Sequence, residues 1–232
     1  MLDQTLSNKL TAVRHRIRLA AEKCQRDPKS ISLLAVSKTR SASEIRAVHS
    51  LGNLCFGENY LQEAQAKQAE LVDLPLHWHF IGPVQSNKTR EIAASFSWLH
   101  SLDREKIANR VSQYRPKHLP SLQCCIQVNI DREASKAGVL PEEVVDFADL
   151  MRGLKGIQLR GLMAIPRPSD DYEEQLDSYS RLAQLSRNLQ PRHPDLDQLS
   201  MGMSQDLEAA IAAGSTMVRV GTDIFGPRVK PN

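Results

Sequence analysis

The sequence predicts an α/β fold: a closed (β/α)8 barrel of the TIM type with one extra helix ahead of its first strand. Three observations lead there. Short apolar runs of about 4–8 residues alternate eight times with segments of helical periodicity. No strand is followed by the GxGxxG turn of a dinucleotide-binding sheet, which favours the closed form over an open doubly wound sheet, the alternative. The 232 residues carry no linker or composition shift and read as one domain over 1–232. That length is a little under the ~250 typical of such barrels.

Each element has its own signal. Residues 3–24 read as the extra helix, because Leu6, Leu10, Val13, Ile17, Ala20 and Ala21 recur at helical steps. Asp27-Pro28 ends it. Residues 31–38 form strand one, a small and apolar run that closes on Lys38. Ser41-Ala42-Ser43-Glu44 is a capping box that opens the helix 42–51, and Gly52-Asn53 stops it. Strand two covers 54–57, Glu58-Asn59 ends it, and 60–71 is helical. Strand three covers 77–82, with a helix opening near Ser86 after Pro83. Strand four covers 96–102, and Asp103 is expected to cap a helix reaching about 113.

The second half keeps the rhythm. Strand five covers 124–130. The loop 131–140 leads to Pro141 at a helix N1 position, with Glu142 and Glu143 in the first turn. Strand six covers 157–165, followed by the loop 166–171 and a long helix over 172–189. Strand seven is short, 198–201. Ser204 is expected to cap the helix 205–213, which Gly214 ends. Strand eight covers 216–221, and no helix is expected after it.

Composition excludes several classes. The net charge is +3 and charged residues make up 25%, with no clustered basic stripe for nucleic acid. The densest basic run, Arg14-His15-Arg16-Ile17-Arg18, falls in the first helix and reads as a solvated face. No apolar run approaches the roughly 18 residues of a membrane span, and the N-terminus lacks a signal-peptide core. A soluble cytoplasmic protein is expected. Cys24, Cys55, Cys124 and Cys125 form no CxxC pair and read as free thiols, with Cys124 and Cys125 facing opposite sides of a strand. His77 and His79 share a strand face but have no third ligand, so no metal is expected.

Chemistry collects at the strand ends. Ligands in such barrels sit at the carboxyl ends, and phosphates often bind after strands seven and eight. Ser200-Met201-Gly202-Met203-Ser204 and Gly221-Thr222 occupy those two positions and read as a phosphate cup of small residues and backbone donors. Lys38 shares a face with Val36, and Arg219 shares one with Gly221; barrel closure makes those strands neighbours. A lysine beside a phosphate cup suits two ligands: a sugar phosphate held as an aldolase-type Schiff base, or pyridoxal 5'-phosphate (PLP) bound as an aldimine.

Longer motifs carry a resemblance. Ala35-Val36-Ser37-Lys38, Phe56-Gly57-Glu58-Asn59-Tyr60, Trp78-His79-Phe80-Ile81-Gly82, Gln85-Ser86-Asn87-Lys88, Gly161-Leu162-Met163, Leu199-Ser200-Met201-Gly202-Met203-Ser204 and Val218-Arg219-Val220-Gly221 resemble the YggS/PROSC family of PLP homeostasis proteins. The likeness spans essentially the whole chain and looks closest to a cyanobacterial member. That family resembles the barrel domain of fold-type III PLP enzymes such as bacterial alanine racemase. The resemblance implies Lys38 as the aldimine lysine and Ser200, Ser204, Gly221 and Thr222 as the phosphate site, helped by the backbone of Met201 and Gly202. It implies Arg219 beside the pyridine nitrogen and Asn59 as a cofactor-face contact. His79 falls in a family motif and reads as a packed strand histidine; Glu58 and Asn87 stay unassigned.

Arg219 bears on activity. A carboxylate at the pyridine nitrogen would keep it protonated, whereas a guanidinium cannot accept that proton and disfavours it. The racemase resembles a barrel plus a C-terminal β-domain that supplies a catalytic tyrosine to its partner's site. This chain ends at Asn232, and Tyr60, Tyr114, Tyr172 and Tyr179 all fall in helices or at their ends. The expectation is a monomeric PLP carrier in vitamin B6 and amino-acid homeostasis, without turnover, exchanging cofactor with free amino acids or apo-enzymes. A weak amino-acid racemase is the alternative. A regulatory partner protein signalled by PLP is a third class, for which no interaction motif is present.

Overall fold

A computed structural model describes residues 2–227; residues 1 and 228–232, included in the expected 1–232 domain, lie outside it. Eight parallel strands close in sequence order, with β8 bonded back to β1. The order is α1 (Leu2–Lys23), β1 (Ser32–Val36), α2 (Ala42–Ser50), β2 (Cys55–Glu58), α3 (Leu61–Glu70), β3 (His77–Phe80), α4 (Thr89–Ser95) and β4 (Trp98–Leu102). It continues with α5 (Glu105–Tyr114), β5 (Leu122–Gln127), α6 (Val144–Arg152), β6 (Ile157–Met163), α7 (Tyr172–Leu189) and β7 (Gln198–Ser200). It ends with α8 (Leu207–Ala212), β8 (Met217–Val220) and α9 (Thr222–Phe225). The open doubly wound alternative is thereby ruled out. No helix among the described residues is long and apolar enough to cross a membrane.

Local signals account for most elements. Every apolar position predicted for α1, from Leu6 to Ala21, is buried, and the helix packs on α2, α8 and α9. The capping box of α2 is present in both directions: Ser41 N–H donates to Glu44 Oε2 at 2.8 Å and Glu44 N–H to Ser41 Oγ at 3.3 Å. Strands three, five and six end earlier than expected, at Phe80, Gln127 and Met163, and further expectations change. A one-turn helix, α9, does follow the last strand. Asp103 does not cap α5; its carboxylate binds Arg104 at 2.8 Å, and Arg104 holds the N-cap position. Ser204 does not cap α8, because Asp206 Oδ1 takes the Met203 N–H at 2.5 Å and folds 203–206 into a turn. Strand one stops at Val36, since Thr39 adopts a left-handed φ of 64° and turns the chain.

The barrel interior holds a column of polar groups. His79 Nδ1 lies 2.9 Å from His100 Nε2, and His100 Nδ1 lies 2.7 Å from Ser200 Oγ. Arg219 Nη1 donates to that same hydroxyl at 2.9 Å. Both rings can be neutral with all three contacts made, the protons running either from Ser200 through His100 to His79 or the opposite way. Trp98 stacks flat on His79, with centroids 5.5 Å apart. The packed, hydrogen-bonded reading of His79 therefore holds. His79 Nε2 is buried with no hydrogen-bond partner among the described residues.

Burial, seconded by electrostatic opposition from His77, holds the His79 pKa down at about 3. Burial, His79 and Arg219 push His100 well below its ordinary value. Both rings are neutral when folded and take up protons on unfolding below about pH 6.5. The unfolded chain then binds more protons, so stability falls as pH falls from about 6.5 toward 3, at about 1.4 kcal/mol per pH unit per ring. Urea unfolding at about pH 7 and about pH 5 should show this slope, and His79→Leu should reduce it by about one ring's share. An unchanged slope in that variant would mean that His79 is solvated or charged in the fold.

Candidate functional site

At the carboxyl ends of the strands lies a cavity of about 700 Å³. Lys38, Asn59, Ser204, Arg219, Gly221 and Thr222, all read from the sequence as site residues, line it. Ser200, Met201 and Gly202 do not line it; they are buried beneath it. The sequence reading missed Lys136, Ser169, Asp170, Met203 and Asp206, which also line the cavity. The first three sit in the loops after β5 and β6, whose length was the one available signal.

Lys38 follows β1 in a tight turn that is anchored on both sides. Ser37 Oγ donates to Glu58 Oε1 at 2.6 Å, and Lys67 Nζ donates to the Ser37 carbonyl at 2.7 Å. Thr39 N–H donates to Glu63 Oε1 at 2.5 Å. Lys67 joins the two carboxylates, 2.8 Å from Glu58 and 2.5 Å from Glu63. Glu58 is fully buried and Lys67 nearly so. Burial raises the Glu58 pKa, and Lys67 and Ser37 oppose that rise. Residues 37 and 39 thus hang from one ionic cluster, which fixes the backbone carrying Lys38.

Arg219 forms part of the cavity floor. Its guanidinium donates to the Ser200 carbonyl and hydroxyl, and to the Ala164 carbonyl at 2.9 Å. Burial lowers its pKa, while Tyr179, Asp206 and Cys125 oppose this. Its described hydrogen-bond partners are carbonyls and a hydroxyl, so it brings positive charge to the cavity floor, tempered by the Asp206 carboxylate in the cavity wall. Gly202 lies below, with φ +93°, and a Cβ there would meet Ala210 Cβ at 2.6 Å. Only glycine lets this loop pass so close to α8. Gly202 O accepts from Arg219 N–H at 2.9 Å, and Met201 O from Ser215 Oγ at 2.7 Å. Ser200, Met201 and Gly202 therefore serve as the support under the rim.

The rim consists of Ser204 after β7 and Gly221-Thr222 after β8. A side chain at Gly221 would press on Val36 O at 3.1 Å and Val36 Cβ at 3.3 Å. Asp206 is occupied: Tyr179 Oη donates to its Oδ2 at 2.8 Å and Met203 N–H to its Oδ1. Lys136 donates to the Pro166 carbonyl at 2.8 Å and pairs with Glu133 at 2.6 Å. Asn59 Oδ1 is buried and takes no hydrogen bond among the described residues. No group of three or more His, Cys, Asp or Glu among the described residues could hold a metal ion. An amine, a positive floor and a rim of hydroxyl and backbone donors suit an aldehyde that carries an anionic group.

Comparison with known proteins adds identity to this geometry. The family model described as alanine racemase, N-terminal domain, matches residues 9–229. The pyridoxal phosphate homeostasis protein of Pseudomonas aeruginosa is 53% identical, over 97% of this chain and 96% of its own. The structure of PipY of Synechococcus elongatus with PLP bound is 36% identical, with a TM-score of 0.83, over 95% of this chain and 100% of that one. Alanine racemase of Corynebacterium glutamicum is 17% identical at a TM-score of 0.64 over 94% of this chain, a likeness of fold that spans 62% of the racemase.

The ionic cluster makes its own prediction. Lys67→Met leaves the Glu58 carboxylate buried without its cation and should cost about 3–5 kcal/mol in urea unfolding. Adding Glu58→Gln should recover part of that loss. A cost under about 1 kcal/mol would mean that the pair behaves as a solvated one.

Proposed function

We propose, from the premise that this chain belongs to the family of pyridoxal phosphate homeostasis proteins, that it holds PLP covalently on Lys38 and acts in PLP and amino-acid homeostasis without catalytic turnover. The observation that carries this is a single cavity lined by Lys38, Arg219, Ser204, Gly221 and Thr222. The site fits the cofactor. Its volume of about 700 Å³ is ample, Gly221 leaves backbone exposed where a side chain would crowd Val36, and the unpartnered Asn59 Oδ1 offers an acceptor.

Bound PLP supplies an aldehyde that condenses with an amine and a ring that withdraws electrons from it. Lys38 Nζ is the amine, held in place by the turn around it. Ser204, Gly221 and Thr222 bind the phosphate, and Ser200, Met201 and Gly202 shape the loop from below. Asn59, which lines the cavity, would contact the cofactor face. Arg219 would face the pyridine nitrogen, where a guanidinium donates and cannot accept, so it would disfavour a proton there and support only weak electron withdrawal. Tyr179, the one tyrosine bonded to a cavity-lining residue among those described, is committed to Asp206, and burial pushes its pKa up. It is therefore unsuited to moving a proton at the cofactor, which supports holding over racemization.

The chain is read as a single PLP-binding domain, monomeric and cytoplasmic. It would exchange cofactor with free amino acids or pass it to apo-enzymes, with no nucleic-acid or membrane partner. Borohydride treatment of the protein mixed with PLP should add the mass of reduced PLP to the peptide carrying Lys38, and Lys38→Ala should abolish that addition. Incubation with L-alanine should produce no D-alanine. Rapid racemization lost in Lys38→Ala would replace this reading with the weak-racemase one.

A further inference from the structure

Arg16 lies on α1, in the basic run that reads as a solvated helix face. The structure half-buries it instead and gives its guanidinium four bonds. Nε and Nη2 form a fork on the Glu208 carboxylate at 2.8 and 2.9 Å. Nη1 reaches Asp223 Oδ2 at 2.6 Å, and Nη2 also donates to the Ser204 carbonyl at 2.9 Å. These partners belong to the loop after β7, to α8 that continues it, and to α9 after β8. Ser204 and Asp223 line the cavity, while Arg16 does not.

Up to Gly202 the two strands and their loops are held in step by bonds such as Met201 N–H to the Met217 carbonyl at 3.1 Å and Arg219 N–H to the Gly202 carbonyl at 2.9 Å; beyond Gly202 it is Arg16 that bridges the two rim segments. A single register pair, Ser200 with Met217, joins β7 to β8, fewer than between any other neighbouring strands. The helices behind the rim are short, six residues in α8 and four in α9, and helices of that length are weak on their own. Glu208 and Asp223 also place two carboxylates next to a rim that must accept an anion, which would repel it unless neutralised.

We propose that Arg16 is a positioning residue for phosphate binding: from outside the cavity it ties the Ser204 segment to the Thr222 segment and neutralises Glu208 and Asp223 behind them. The inference rests on the phosphate rim of the proposed function. It separates the phosphate end of the site from the Lys38 end, because no bond described for Arg16 reaches the ionic cluster around Lys38.

The test compares PLP with pyridoxal, which has the same aldehyde and ring but no phosphate, on the full chain. Affinity is read by equilibrium dialysis and folding by thermal unfolding. Arg16→Met should weaken PLP binding about tenfold, the scale of one charge-assisted contact, and leave pyridoxal binding within about twofold. Arg16→Lys, which keeps the charge and loses the fork, should fall between, and it carries the comparison if Arg16→Met does not fold. Equal losses for both ligands would make Arg16 a general stabiliser, and no loss for PLP would make it a bystander; either overturns the proposal. A wild-type protein that binds PLP no better than pyridoxal would instead defeat the phosphate rim itself, and that result needs no variant.

Discussion

Closure of the barrel is the constraint on which everything else depends. Ser32 to Ala35 of β1 pair with Met217 to Val220 of β8, segments separated by most of the chain. That pairing puts the end of the first strand beside the end of the last. Lys38 and the Gly221-Thr222 segment then border one cavity, and Arg219 forms part of its floor. In an open sheet with β1 and β8 apart, the same residues would have no common ligand. The site is thus a consequence of topology before it is a consequence of side chains.

The interior has the chemistry of a functional site rather than of an optimised core. An apolar barrel would have been simpler to stabilise, yet His79, His100, Ser200 and Arg219 run through it as one connected series. Buried polar groups cost free energy unless each finds a partner. Here they find one another, His79 Nε2 excepted among the described residues, and the series terminates at the guanidinium under the cavity. The Glu58, Lys67 and Glu63 cluster plays the matching part for Lys38. Glu58 and Lys67 are shielded from water and Glu63 is partly so, and the cluster ties down Ser37 and Thr39 on either side of Lys38. The two ends of the candidate site are held by separate networks, the ionic cluster at one end and Arg16 with its two carboxylates at the other.

The likeness to alanine racemase and the relation to the homeostasis proteins carry different weight. The first is a likeness of barrel at 17% identity. The second extends along nearly the full length of both chains at 53% identity. A shared barrel says where a cofactor would sit, whereas activity follows from the groups that surround it. In this chain Arg219, proposed above to face the pyridine nitrogen, is a donor only, and the tyrosine bonded to the cavity-lining Asp206 is locked to it, which supports the proposed retention of a cofactor over chemistry on it.

Periodicity determined the fold by itself. Leu6 to Ala21 repeat at helical steps and all are buried, and eight short apolar runs became eight parallel strands. Lys38, Arg219, Gly221 and Thr222 were legible because strand phase and strand order place them without knowledge of any distant contact. What tertiary structure alone decided was the role of polar residues that need partners from elsewhere. Ser204 looked like a helix cap until Asp206 took the Met203 amide. Ser200 looked like a phosphate ligand, and the structure encloses its hydroxyl between His100 and Arg219. Arg16 looked solvated, although Glu208 and Asp223 wait for it about two hundred residues later. Apolar burial follows a local pattern, because one face of an element turns inward as a unit. A charge can be buried only where opposite charges or hydrogen-bond acceptors converge on it, and that convergence exists only once the barrel has closed.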